Sequence, residues 1–169
     1  MNRKGLTLIE MIVFIVIFSI GVMGVLVLFY NTINRSSNPT IRLKGVEVAS
    51  AVMDEILSRK FDNDTPNGGG TIPLSLVNIG KEPPDDSNTI QYDDVDDYNG
   101  LSCITGSSGC FEDITPGYRV NISVTCAQVA SDGKITQAAC PTTYKLITVR
   151  VEGHVPNETY VLKSLKANF

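Results

Sequence analysis

The fold is decided by residues 6–29, which read LTLIEMIVFIVIFSIGVMGVLVLF. Apolar residues dominate this run. As an α-helix at about 1.5 Å per residue it would be roughly 36 Å long, enough to cross the core of a bilayer. Glu10 lies inside the run, where an uncompensated carboxylate in hydrocarbon costs about 3 kcal/mol or more. The stretch therefore predicts a membrane helix whose acidic residue needs a partner.

A short basic leader, Met1-Asn2-Arg3-Lys4-Gly5, precedes the apolar run. Residues 5–11, Gly-Leu-Thr-Leu-Ile-Glu-Met, resemble the processing site of type IV prepilins and their pseudopilin relatives. The resemblance implies that a membrane peptidase cuts after Gly5 on the cytoplasmic side, and that Leu6 becomes the N-methylated first residue. Leu6 is a departure from the family pattern, which usually has Phe at this position.

The same resemblance gives Glu10 a role in subunit assembly. Cleavage would create a cationic amine at Leu6, one helical turn from the Glu10 carboxylate. In a packed filament, Glu10 of one subunit would neutralise the Leu6 amine of a neighbour and offset the desolvation of both charges. An uncut signal anchor is the alternative. It shares the topology, because Arg3 and Lys4 would hold the N-terminus in the cytoplasm in either case.

Five regions are predicted along the chain. They are a prepilin leader at 1–5, a transmembrane and filament-core helix at 6–29, a helix continuation packed on the globular domain at 30–61, a long irregular loop region at 62–117, and an antiparallel β-sheet at 118–169. The resulting class is α+β, with a long N-terminal helix on a small antiparallel sheet. It matches the ladle shape of type IV pilins.

The pattern after the apolar run predicts an amphipathic helix. Asn38 suits an N-cap and Pro39 a first helical position, so either a new helix or a kinked continuation starts there. Apolar residues then recur at spacings of three and four, at Val46, Ala49, Met53 and Ile56. This stripe is expected to lie on the sheet.

Three segments alternate apolar and polar residues and are predicted strands: 118–125, 144–152 and 159–165. A turn at 154–157, which contains the one histidine of the chain, joins the second strand to the third.

The four cysteines, Cys103, Cys110, Cys126 and Cys140, all follow the apolar run. An even number in an exported domain predicts two disulfides, for which three connectivities are open. Local pairing, Cys103–Cys110 and Cys126–Cys140, is favoured because both intervals resemble turn-rich loops. A zinc site is disfavoured because the chain has no Cys-x-x-Cys pair and its histidine is distant in sequence.

An acidic cluster lies at residues 91–100, which read QYDDVDDYNG. Its carboxylates and amide suggest a calcium site formed by Asp93, Asp94, Asp96, Asp97 and Asn99. The EF-hand spacing is absent, and a solvated turn in which Asp and Asn cap backbone groups is the alternative. No other cofactor is predicted.

Composition excludes several function classes. The net charge is −4, and without the two basic leader residues 12 basic side chains face 18 acidic ones, so a nucleic-acid-binding surface is not expected. The sequence has no Gly-x-Ser-x-Gly and no phosphate-binding loop, and its one histidine has no evident nucleophile beside it in sequence. We therefore predict that the protein is not an enzyme.

Looser matches suggest a subfamily. Residues 46–57 and the pair Phe61-Asp62 are similar to minor pilins and pseudopilins of the PilV and GspI type. Their combination with the triple glycine 68–70, the acidic loop and residues 116–118 is most similar to minor pilins of MSHA pili. The resemblance implies a structural minor pilin that acts in filament initiation and assembly. The alternatives are a type II secretion pseudopilin and a tip adhesin or DNA-uptake pilin.

The resemblance also implies partners and a location. The partners are other pilins, the prepilin peptidase, the inner-membrane assembly platform and membrane lipid. Before assembly the chain would be a single-pass inner-membrane protein with its C-terminal domain in the periplasm, and after assembly it would be part of an extracellular pilus.

Overall fold

The computed structural model describes residues 7–80, 88–153 and 158–169, and describes only the backbone of residues 34–39. The predicted leader, the predicted cleavage residues Gly5 and Leu6, and the predicted turn at 154–157 lie outside the described residues. The chain divides into two units, Met1–Ile41 and Arg42–Phe169, and each is described by itself.

Helix α1 spans Leu8–Ser58. Of the two outcomes predicted at Asn38-Pro39, a new helix or a continuation of the first, the structure contains a continuation. A proline inside a helix removes one backbone hydrogen bond, and the bonds on either side can still form. The helix ends at Ser58, close to the predicted limit at residue 61 and before the Asp, Asn, Pro and Gly residues of the following loop.

The second unit contains an antiparallel sheet. Its strands are β1 (Ser102–Ile104), β2 (Arg119–Val129), β3 (Ile135–Gln137), β4 (Tyr144–Glu152) and β5 (Thr159–Ala167). The order is β1-β2-β4-β5, and β3 pairs with the far end of β2. The predicted α+β class, a long N-terminal apolar helix with an antiparallel sheet, is confirmed.

One face of the sheet forms the core. Val120, Ile122 and Val124 on β2 are buried, and their register partners on β4 are Val151, Val149 and Ile147, which are completely buried. Successive side chains of a strand point to opposite faces, so these residues share one face. Lys145 continues the same series on β4, opposite Cys126, and is also completely buried.

The C-terminal part of α1 covers this face. Its buried residues, which belong to the same apolar cluster as the sheet, are Val48, Ala49, Val52, Met53 and Ile56. The predicted stripe was wrong at Val46, which is 45% exposed. Successive residues of a helix are rotated by about 100° about its axis. Val46 therefore lies to one side of the buried row that contains Gly45 and Ala49.

The long region between helix and β2 is partly built into the core. In addition to β1, this region contains two short 3₁₀ helices that precede it in the chain, Leu74–Leu76 and Asp96–Tyr98. Tyr92, Val95 and Tyr98 are completely buried. The Tyr92 and Tyr98 rings pack edge to face, with their centroids 4.9 Å apart. The sequence analysis missed β1 and β3, because three residues are too few for a period-two pattern.

A glycine lies where α1 packs tightly against the sheet. Gly45 is buried, and a Cβ added there would overlap the ring of Tyr160 on β5. We expect Gly45→Ala to lower the free energy of unfolding of this unit by about 1–3 kcal/mol, although alanine favours a helix by about 1 kcal/mol. Urea unfolding of the full chain in detergent, followed by tyrosine fluorescence, measures the loss.

The control is Gly21→Ala, because that position has no atom within 4 Å that a Cβ would meet. The double variant Gly45→Ala/Tyr160→Ala should show a smaller effect of the alanine than the single variant does. An unchanged unfolding midpoint in Gly45→Ala would contradict the prediction.

Candidate functional site

The apolar part of helix α1 presents its side chains outward on all sides. Residues Leu8–Ile33 have a mean hydropathy of 3.1 over the most apolar window, and none of that window is buried. The large apolar side chains of this stretch range from 39% exposed at Val22 to 79% at Leu8. By length and composition the helix can cross a membrane. Such a surface is stable only against hydrocarbon or other apolar helices.

Glu10 lies at the third helical position of α1, and its side chain contacts Thr7, the residue that precedes the helix. Its Oε2 accepts hydrogen bonds from the backbone N–H and the hydroxyl of Thr7, both at 3.4 Å. This is the carboxylate half of a capping box, and it also places a negative charge at the positive end of the helix dipole. The sequence analysis missed this contact, although the spacing Thr-x-x-Glu at 7–10 is its signature.

The acidic loop brings three of its five predicted calcium ligands together. One carboxylate oxygen from each of Asp93, Asp94 and Asp97 lies within 4.8 Å of the others. Asp94 and Asp97 are buried, and Asp93 is half-buried. Three carboxylates are fewer than the six to eight oxygen ligands that Ca²⁺ takes in proteins.

Two of these carboxylates already cap backbone amides. Asp94 Oδ1 accepts from the N–H of Asp96 at 2.9 Å and of Asp97 at 3.2 Å. Asp97 Oδ2 accepts from the N–H of Asp93 at 3.0 Å and of Asp94 at 3.3 Å. The two caps are reciprocal and hold the 3₁₀ turn closed. The second oxygen of Asp94 is buried, and no described residue forms a hydrogen bond with it.

Asp96 and Asn99 lie outside the group of three whose oxygens converge, and their side-chain oxygens accept from other partners. Asp96 pairs with Lys145, and its other oxygen accepts from the Gly80 N–H at 3.2 Å. Asn99 Oδ1 accepts from the Val124 N–H of β2 at 3.0 Å. A buried cation and a strand amide take these oxygens, which sequence spacing does not reveal.

Lys145 is the centre of a second polar cluster that the sequence analysis missed. Its Nζ donates to Phe61 O at 2.8 Å, to Asp62 Oδ2 at 2.9 Å and to Asp96 Oδ1. The three acceptors match the three N–H donors of an ammonium group. The Nζ also lies 4.7 Å from the centroid of the Phe61 ring, which attracts a cation.

The cluster joins three parts of the second unit. Lys145 is completely buried, and the side chains of Asp62 and Asp96 are 6% and 1% exposed. Strand β4 is thereby tied to the segment after α1 and to the acidic loop. The signal for Lys145 was present in the alternation of β4, because it is in phase with Ile147 and Val149.

Burial and neighbouring carboxylates raise the pKa of Asp94. Loss of hydration is the largest cause and the negative charges of Asp96 and Asp97 add to it, so the pKa rises from 3.8 to about 8. Between these two pH values the folded chain holds a proton that the unfolded chain has released. The free energy of unfolding therefore falls as the pH rises through this window.

We expect Asp94→Asn to remove this decline, because the amide oxygen can still accept from the two backbone N–H groups while the charge is gone. The variant should gain stability relative to the parent chain on going from pH 4 to pH 8, by up to about 5 kcal/mol if the whole shift is expressed. Urea unfolding across this range tests it. The exposed control Asp113→Asn should keep the decline, and a decline that persists in Asp94→Asn would contradict the assignment.

The structure contains the disulfides Cys103–Cys110 and Cys126–Cys140, with Cα atoms 6.1 Å and 5.3 Å apart. The first links β1 to the loop that follows it, and the second links β2 to the segment before β4. Both lie outside the acidic loop. They act as covalent supports of the sheet.

Comparison with known proteins identifies the N-terminal segment. Residues 1–26 match the family model described as the prokaryotic N-terminal methylation motif. No curated protein and no solved structure matches the chain. The motif supports a type IV pilin or pseudopilin in general, and the long apolar helix with an antiparallel sheet fits a type IV pilin-like fold.

Proposed function

We propose that this chain, which begins with a prokaryotic N-terminal methylation motif, is a structural minor subunit of a type IV, MSHA-like pilus. Prepilin peptidase cuts after Gly5 and Leu6 is N-methylated. The subunit then moves from the inner membrane into a filament with other pilins, through the assembly platform. Its role is initiation and assembly of the filament, without catalysis on another molecule.

The observation that carries this proposal is the bare apolar helix with an acid in its first turn. A helix whose large apolar side chains are exposed from Leu8 to Ile33 needs lipid before assembly and neighbouring helices afterwards. In an ordinary membrane anchor the carboxylate of Glu10 disfavours insertion. A filament gives it a partner, the Leu6 amine of the adjacent subunit.

The position of the second disulfide favours a minor subunit over the bulk one. Major pilins typically carry their disulfide close to the C-terminus, whereas here β4 and β5 both follow Cys140. The same features fit a pseudopilin of a type II secretion system, which is the second candidate.

Mass spectrometry of filaments sheared from the native cells tests the proposal. We expect an N-terminal peptide that begins at methylated Leu6, at trace abundance beside a dominant pilin. Unprocessed Met1–Gly5 in membranes, with no trace of the chain in filaments, would contradict the proposal and leave an uncut anchor. A processed chain found only with secretion components would favour the pseudopilin.

Calcium binding at the acidic loop stays a prediction, now limited to Asp93, Asp94 and Asp97. With three carboxylates, two of which already accept backbone hydrogen bonds while Asp93 pairs with Lys60, we expect an affinity no tighter than about 10⁻⁴ to 10⁻³ M, as in weak extracellular sites. Thermal unfolding of the full chain in detergent, in millimolar CaCl₂ and in EDTA, measures it. Asp93→Asn should abolish any rise in melting temperature that CaCl₂ causes. Equal melting temperatures of the parent chain in CaCl₂ and in EDTA would contradict the prediction that this loop binds calcium.

A further inference from the structure

We propose that Lys145 and Asp96 form an intramolecular isopeptide bond, an amide between Nζ and the side-chain carbonyl carbon, with Asp62 as the proton carrier. Nothing in the proposed function requires this link. It rests on the geometry of the buried cluster around Lys145. The product would be a third covalent tie in the second unit, beside the two disulfides.

The first requirement for such a bond is lasting proximity of the amine and the carboxyl group. Nζ of Lys145 contacts Asp96 Oδ1 directly, and the two side chains are 0% and 1% exposed. Neither can leave without opening the core. Holding two reacting groups in place in this way replaces an encounter in solution with an intramolecular step and removes much of the entropic barrier.

The second requirement is a group that moves the protons. Asp62 Oδ2 lies 2.9 Å from the same Nζ and is itself almost completely buried. It can take a proton from the ammonium group, which leaves the neutral amine as the nucleophile, and pass that proton to the oxygen that leaves. General acid–base catalysis of this kind contributes about 10²–10⁴-fold to a rate.

The third requirement is a polarised carboxyl group. Asp96 Oδ2 accepts a hydrogen bond from the Gly80 N–H at 3.2 Å, so one oxygen is held and stabilised while the other faces Nζ. A backbone N–H in this position stabilises the negative charge that develops when the amine attacks the carbonyl carbon. The corresponding oxygen of Asp62, Oδ1, accepts only a longer bond, from the Asp64 N–H at 3.5 Å, so the shorter bond at Asp96 favours Asp96 as the acyl partner.

The step balances within the pair. The ammonium group and the carboxylate lose one water: the new C–N bond replaces one C–O bond of Asp96, and two ammonium protons leave with that oxygen. The third proton stays on the amide nitrogen, beside Phe61 O and Asp62 Oδ2 as acceptors. The charges of Lys145 and Asp96 cancel, and no oxidant, reductant or co-reactant is needed.

The test is the mass of the full chain purified in detergent under reducing and denaturing conditions. We expect a mass one water below that of the unlinked chain, and a branched proteolytic peptide that joins the segment around Lys145 to the segment around Asp96. Asp62→Asn should lower the rate at which the linked form appears by about a hundredfold. Lys145→Arg should give no linked form.

An internal control is the pair Lys60 and Asp93, whose side-chain atoms lie 3.1 Å apart but are 31% and 45% exposed. It should stay unlinked, which shows that the chemistry needs burial and the second carboxylate. Folded chain, with both disulfides formed, that yields an ordinary Lys145 peptide would overturn the proposal. A branch at Asp62 in place of Asp96 would overturn the assignment of the acyl partner.

Discussion

Relative to the unlinked parent chain, in which Lys145 is still a cation, Lys145→Met is expected to lower the free energy of unfolding of the second unit by about 3–5 kcal/mol, the range measured when one partner of a buried ion pair is removed. Methionine is apolar and similar in length, so packing changes little. The loss comes from Asp62 and Asp96, which remain almost completely buried without their cation. Since small domains are stable by about 5–15 kcal/mol, the variant would be close to unfolding.

Urea unfolding followed by tyrosine fluorescence suits the measurement, because the chain has no tryptophan and Tyr92 and Tyr98 are buried in the second unit. The control Lys60→Met removes the half-exposed pair with Asp93 and should cost about 0–1 kcal/mol. Lys145→Met combined with Asp62→Asn and Asp96→Asn should recover part of the loss. Equal effects of the two lysine variants would contradict a special role for Lys145.

The strands of the sheet were predictable wherever apolar and polar residues alternate for long enough. The strand predicted at 144–152 is β4 with the same limits, and the strands predicted at 118–125 and 159–165 correspond to β2 and β5, which run a few residues further. Alternation is a direct consequence of the two-residue period of a strand. Three-residue strands carry no such signal.

The polar clusters were harder to predict, because spacing along the chain does not determine which groups meet in space. Asp96 lies between Asp94 and Asp97 in sequence, yet it pairs with Lys145, which is 49 residues away. Glu10 was recognised from the motif, whereas its contact with Thr7 depends on where the helix begins. Residue types therefore indicated where the charges are, but not which groups they pair with.

Replacing Glu10 tests the assembly proposal most directly, and the choice of residue separates its two roles. In the single chain Glu10 caps α1 through Thr7, a contact that an amide oxygen can keep. In a filament its charge would neutralise the Leu6 amine of a neighbour, which an amide cannot do. We therefore expect Glu10→Gln to reduce the share of the chain recovered in sheared filaments about tenfold, equivalent to about 1.4 kcal/mol.

Targeted mass spectrometry of filament and membrane fractions measures this share, and cleavage after Gly5 should be unchanged. Glu10→Ala, which also removes the cap, should be at least as severe as Glu10→Gln. The control Glu47→Gln replaces an exposed acid that pairs with Lys44 in the second unit and should be incorporated normally. If Glu10→Gln enters filaments as well as the parent chain while Glu10→Ala does not, the carboxylate acts as a helix cap and the charge pairing between subunits is wrong.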